Sequence, residues 1–246
     1  MNKRPVSYLQ TDARWRDVSY SAPGEHTTVG RAGCGPTCAA MLLTTLAGQT
    51  VTPVDTCDWA RRHGFKARGQ GTYYSYFAAQ FAAYRIPAGR LNAHSVYGKP
   101  DDPTHGQAAE LLRQGYYLIA CMGKGLWTSS GHYVVVWEMD GKVRINDPAS
   151  TEGNRLNGDP ETFKKQVKYY FWVDARTYNK EDDMTQEQFN AMLEQWLKDR
   201  AEQPADDWAK PLVERGKAAG FTDGSSPKGL ATRQEVMAMI LSANRT

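Results

Sequence analysis

The sequence predicts an α+β domain over residues 1–178, followed by a linker and a small all-α segment over 179–246. Helical patterns come first and strand patterns later, which fits α+β architecture better than alternating parallel βαβ units. The stretch HYVVVWEMDGKVRIND holds two runs of strand-forming residues around Asp140-Gly141, a strong hairpin signal. At Asn179–Asp183 the composition turns acidic and apolar residues thin out, as in a linker.

The clearest helix is PTCAAMLLTTLAG, just after Cys34. Pro36 suits a first helical turn, where its missing N–H costs nothing, and Gly48 suits the left-handed position past the end. Further helices are expected over Tyr76–Tyr84 and Gly106–Gln114. Strands are expected at Tyr116–Cys121, Tyr133–Met139, Lys142–Asn146 and Lys168–Val173. In the tail, TQEQFNAMLEQWLKDR is amphipathic, with Thr185 and Gln188 reading as a capping-box start. Ala201–Asp206 reads as a second linker. Two short helices follow, Trp208–Ala219 ended by Gly220, and Thr232–Ala243 with Thr232 and Glu235 as its cap.

Composition narrows the function classes. The chain has 246 residues, 41% hydrophobic and 23% charged, ordinary for a soluble globular protein. No run approaches the roughly 18 apolar residues needed to span a bilayer, and MNKRPVSYLQ lacks the apolar core of a secretory signal. The expectation is a protein held in the cytoplasm until it is released. Net charge is +3, but residues 1–180 hold 22 Lys/Arg against 15 Asp/Glu, giving +7, while 181–246 hold 8 against 12, giving −4. The cationic front favours an anionic partner such as a bacterial wall polymer. No basic stripe interleaved with aromatics points to nucleic acid, and no membrane partner is expected. Four cysteines (Cys34, Cys38, Cys57 and Cys121) are too few for a disulfide scaffold.

In AGCGPTCAAM, a cysteine flanked by glycines stands at the mouth of a helix, where the helix dipole lowers a thiol's pKa. Gly33 and Gly35 would leave room for a substrate backbone. A structural thiol at a helix start explains the motif equally well. In the hairpin, a two-residue loop makes Met139 face Lys142, so that paired numbers sum to 281 and His132 faces Ala149. His132 and Asp147 then become diagonal neighbours on one face, about 7–8 Å apart at the backbone, while Asn146 points to the other face. A histidine held by a carboxylate is what a general base for a nucleophile requires. Singly, His132 reads as a strand-end histidine and Asp147 as a turn former before Pro148. His26, His63, His94 and His105 lack such a partner pattern. No metal or organic cofactor is required.

Taken together, YLQTDARW, GCGPTCAAML, TPVDTCDWARRHGF with GQGTYY, and GHYVVVWEMDGKVRINDPA resemble the bacterial and phage C39-like peptidases, within the papain-like cysteine peptidases, over residues 6 to 175. The resemblance implies a papain-like fold, with a helix carrying the cysteine and an antiparallel sheet carrying histidine and aspartate. It implies Cys34 as nucleophile, His132 as base, Asp147 as orienting residue and Gln10 as oxyanion-hole donor beside the Cys34 backbone N–H. The tail WAKPLVERGKAAGFTDGSSPKGLATRQEVMAMI is similar to the S-layer-homology-like segment of phage endolysins and wall hydrolases. S-layer anchors usually carry three such modules; this chain has one, and its charge of −4 argues against charge-driven attachment to anionic polymers. Wall binding and self-association through these helices both fit it.

The expected function is cleavage of amide bonds in the peptidoglycan of a Gram-positive-type wall, as a phage or prophage endolysin. The alternatives are a leader-peptidase-like enzyme acting on soluble peptides and a catalytically silent wall-binding protein.

Overall fold

The apolar patterns condense on the two faces of one antiparallel sheet. The structure, a computed structural model, describes residues 2–176 and 186–243. Within the front unit the elements run α1 (Val29–Ala32), α2 (Cys34–Leu46), α3 (Pro53–Arg62), α4 (Tyr76–Ala82), β1 (Ala88–Arg90), α5 (Thr104–Arg113), β2 (Tyr116–Met122), β3 (His132–Asp140), β4 (Lys142–Asn146), α6 (Gly153–Leu156), β5 (Asn157–Gly158), α7 (Pro160–Gln166) and β6 (Val167–Asp174). The sheet order is β1-β6-β2-β3-β4-β5, with every neighbouring pair antiparallel.

Helix α2 passes through the core, so residues Gly35 to Leu43 are buried on every side. That explains why its sequence is apolar all round instead of amphipathic. Gly48 takes φ +65° just past its end, as the helix-stop signal requires. With Tyr76, Phe77 and Phe81 of α4 it forms a cluster against Tyr117, Ile119 and Cys121 of β2, Tyr133 and Val135 of β3, and Phe171 of β6. The alternate residues Leu118, Ala120, Val134, Val136 and Tyr170 face a second cluster under α5 and α7. Each large side chain fully buried this way contributes about 1.5–3 kcal/mol.

Helix α3, which sequence patterns did not single out, begins on a capping box between Thr52 and Asp55 with Pro53 in its first turn. The hairpin register differs from expectation near its turn. Met139 faces Val143, not Lys142, because Gly141 alone turns the chain at φ +67°. A bulge at Trp137 then returns the ladder to Val136↔Ile145 and Val135↔Asn146. Two deviations of one residue cancel, so the strand end near the site has the register expected from the turn.

The glycines around Cys34 serve packing instead of leaving room for substrate. A Cβ on Gly33 would lie 2.5 Å from the Val29 carbonyl oxygen, where α1 and α2 join. At Gly35 it would press on Tyr133 and Thr72 at 3.3 and 3.4 Å.

The chain divides into two compact units, 1–182 and 183–246. The second contains α8 (Gln186–Ala201), α9 (Lys210–Ala218) and α10 (Arg233–Ala243). Gly220 ends α9 at φ +73°. Thr232 and Glu235 form the expected reciprocal cap, with Thr232 N–H donating to Glu235 Oε2 at 2.6 Å and Glu235 N–H to Thr232 Oγ1 at 3.3 Å. The cap expected at Thr185, and the linker at Asn179–Asp183, lie outside the described residues. Among the described residues no helix is long and apolar enough to cross a membrane.

Candidate active site

Cys34 is the first residue of α2, preceded by the one-turn helix α1 and Gly33. Its N–H is one of the orphan donors of a helix start, and the dipole there favours a thiolate. Across from it stands His132, the first residue of β3, and beyond β4 stands Asp147. His132 Nε2 donates to Asp147 Oδ1 at 2.8 Å, and both side chains are buried. That contact leaves Nδ1 as the ring nitrogen for the Cys34 thiol, which hydrogen-bonds the imidazole. Three residues from distant parts of the sequence thus form one relay.

The electrostatics favour an ion pair. Burial works against charge on both groups, but it is overcome. Cys34 is drawn below the ordinary thiol range by its hydrogen bond to His132, by the imidazolium charge, and by the Tyr133 and Gly35 backbone. His132 is lifted from 6.5 to about 9 against burial by hydrogen bonds to Asp147 and Cys34 and by their charges. The other thiols behave oppositely. Burial pushes Cys38 and Cys57 well up and Cys121 up to about 11. Only Cys34 has the microenvironment of a reactive thiolate.

Asp147 is held by more than His132. Its Oδ1 also accepts from the Ala149 N–H at 2.8 Å, and its Oδ2 accepts from Arg155 Nε at 2.8 Å. Arg155 comes from α6, pairs with the same oxygen through a second nitrogen at 2.6 Å, and donates to the Trp127 carbonyl at 2.8 Å. Sequence reasoning missed Arg155, since no spacing rule links it to the hairpin. Asn146, expected on the opposite face, is fully buried, and its Nδ2 donates to the Pro5 and Val6 carbonyls.

Gln10 is buried beside this assembly. Its backbone N–H donates to the Pro148 carbonyl at 2.7 Å, and its Nε2 donates to the Gly30 carbonyl at 2.8 Å. It therefore ties the segment after Asp147 to the turn before Cys34. Its Oε1 has no partner among the described residues. Gln10 is not among the residues that line the cleft.

The cleft has a volume of about 460 Å³ and is lined by Cys34, Cys121, His132, Tyr133, Lys168, Ala67 and residues 69–74, Arg68 not among them. An ion pair between buried Lys66 and partly buried Glu25 underlies that segment. Lys66 Nζ lies 2.7 Å from Glu25 Oε2 and also donates to the Ala67 and Gln70 carbonyls, each at 2.7 Å. Glu25 in turn accepts from the Gly69 N–H at 2.9 Å. The Lys66 contact holds the Glu25 carboxyl down at about 2. Tyr20 Oη and Thr72 Oγ1 lie 2.8 Å apart at the same wall. The arrangement supplies a thiolate, a proton carrier and a shaped hollow, the parts needed for acyl transfer through sulfur.

The peptidase domain of Streptococcus ComA, a bi-functional ABC transporter involved in a quorum sensing pathway, is similar at 18% identity, with a TM-score of 0.41. The match covers 58% of this chain and 90% of that one. No curated protein matches the sequence. The model of the Peptidase_C39 like family matches residues 10–198, well over half of the chain. The chain belongs to that family and is a cysteine peptidase with the papain-like pairing of a cysteine-bearing helix and an antiparallel sheet carrying histidine.

Proposed function

We propose that this peptidase hydrolyses amide bonds of bacterial peptidoglycan, as a phage or prophage endolysin does, with Cys34 as nucleophile, His132 as proton carrier and Asp147 as its orienting group. The observation that carries the mechanism is the relay of Cys34, His132 and Asp147 beside an open cleft. The wall as substrate is supported by the +7 charge of residues 1–180, suited to an anionic polymer, and by the S-layer-homology-like tail.

Cys34 Sγ, its proton taken or already held by His132, attacks the amide carbonyl carbon and forms the C–S bond. Charge moves to the carbonyl oxygen, where the Cys34 backbone N–H donates, and Gln10, outside the cleft lining, braces the turn before Cys34 through its bond to the Gly30 carbonyl. The tetrahedral intermediate collapses, the C–N bond breaks, and the departing amine takes the proton from His132 Nδ1. A water then attacks the thioester while His132 accepts its proton. The acid leaves and the thiolate–imidazolium pair is restored. Asp147, fixed by Arg155 and the Ala149 N–H, keeps the Nε2–H pointed away from the reaction and stabilises the imidazolium.

The test is turbidity loss of purified Gram-positive cell walls with wild type and with Cys34→Ala, followed by mass spectrometry of the released fragments. Clearing by wild type alone is expected, and the fragment masses name the bond. Absence of clearing across several wall chemotypes, together with Cys34-dependent cleavage of soluble peptides, would replace the wall with a peptide substrate.

A further inference from the structure

Strand β6 departs from regular pairing at one step. Cys121 faces Tyr169, but Met122 faces Val167, so Lys168 is the extra residue of a β-bulge. In unbroken alternation Lys168 would share the face of Tyr170 and Trp172, which pack with the cluster under α5 and α7. The bulge gives that place to Val167, which is fully buried there, and Lys168 lines the cleft beside Cys121. The bulge is anchored. The Lys168 carbonyl accepts from the Val96 N–H and from Asn92 Nδ2, each at 3.0 Å. Asn92 Oδ1 accepts from the Tyr170 N–H at 3.0 Å. Bulges re-aim side chains and concentrate beside active sites.

What the bulge delivers is an unpaired cation. The Lys168 side chain is half-buried, and its ammonium has no hydrogen bond or ion pair among the described residues. No Asp or Glu lines the cleft; its charges are Lys168 and the Cys34–His132 pair. Partial burial of an ammonium without a counter-charge is unfavourable. A fold that keeps one facing a substrate-sized hollow is complementary to an anion arriving there.

We propose that Lys168 is a specificity-determining residue that binds a carboxylate on the substrate residue next to the scissile amide. The inference rests on Cys34 being the attacking thiol, and it adds the substrate's charge to that reading. A peptide in which this carboxylate is amidated would leave the ammonium partly desolvated and unpaired, so the cleft selects the acid over the amide.

Alkylation of Cys34 tests this without presuming the natural substrate. N-bromoacetyl-glutamic acid α-amide and N-bromoacetyl-glutamine α-amide differ in one side-chain group, carboxylate against amide. Each transfers its acyl-methylene carbon to Cys34 Sγ with loss of bromide. Rates at Cys34 would be read by peptide mapping in wild type, Lys168→Met, Lys168→Arg and Lys168→Glu. The expected result is a preference for the glutamate reagent of about fivefold or more in wild type, the worth of one charge-assisted hydrogen bond. It should survive in Lys168→Arg, vanish in Lys168→Met and invert in Lys168→Glu. The same rate ratio in all four proteins would overturn the assignment while leaving Cys34-dependent wall hydrolysis untouched. A ratio that follows residue 168 in a protein that clears no wall would keep the assignment and remove the wall as substrate.

Discussion

The front unit and the tail solve the burial of apolar side chains in opposite ways. In the front unit Leu42, Leu43, Phe77, Phe81 and Phe163 are completely buried on the two faces of the sheet. In the tail Trp208 is 75% exposed, Leu230 69% and Leu241 66%. A unit of 64 residues buries a smaller fraction of its surface than one of 182 residues. The front unit can therefore spend stability on a buried ion-pair relay, whereas the tail relies on local devices such as the Thr232–Glu235 cap. The lesson is where mutations should be felt: by the whole unit in front, by single helices behind.

The largest effect is expected where the front unit buries charge. Arg155→Met leaves the Asp147 carboxylate without its cation, and breaking a buried pair costs about 3–5 kcal/mol. Thermal unfolding measures that loss. A positioning role adds a second signature. Removing the Arg155 charge favours the His132 imidazolium, so the alkaline limb of activity should move to higher pH in protein that remains folded. An unmoved limb would reduce Arg155 to a structural brace.

Next in size is a direct test of the contrast. Leu42→Ala in the core should cost about 2–5 kcal/mol in denaturant unfolding, against less than about 0.5 kcal/mol for Leu230→Ala in the tail. Equal costs would erase the distinction between the units.

The relay also sets a pH dependence that the tail should not share. The folded state raises His132 from 6.5 to about 9, so its stabilising contribution is fully present below 6.5 and is lost as pH rises through 9. Cys34 is lowered, so its contribution is present above the ordinary thiol range and is lost as pH falls through its depressed value. Activity should form a plateau between the two, with an alkaline fall near pH 9, read as kcat/KM against pH. An alkaline limb near 6.5 would show that the imidazolium is not held by Asp147 and Cys34. The smallest effect is expected at the tail cap, where Thr232→Ala should cost about 1 kcal/mol and leave the Cys34-dependent peptidase activity unchanged.

Much of this was written locally in the chain. The α+β order, helix α2 with Pro36 and Gly48 at its ends, and the four main strands follow from periodicity and turn chemistry, which act over a few residues. The relation of His132 to Asp147 was legible because an Asp-Gly turn fixes which residues face each other. Even there the path differed: the one-residue shift at Gly141 is undone by the bulge at Trp137, and neither is apparent from the turn alone. Arg155 and the Lys66–Glu25 pair were not legible. They join positions 8 and 41 residues apart in sequence through contacts that no periodicity encodes.

By itself, then, the sequence determined helices α2, α4 and α5 and the four main strands, where a helix presents a cysteine and where a strand presents a histidine. The tertiary structure decided what those groups become chemically. Four thiols of one intrinsic acidity separate into one lowered and three raised only because α2 and β3 place Cys34 against His132 while burial surrounds the others. The same holds for Lys168, whose direction depends on a bulge between the pairs Cys121↔Tyr169 and Met122↔Val167, far apart in sequence. Propensity acts on neighbours in the chain, whereas acidity and side-chain direction are set by neighbours in space.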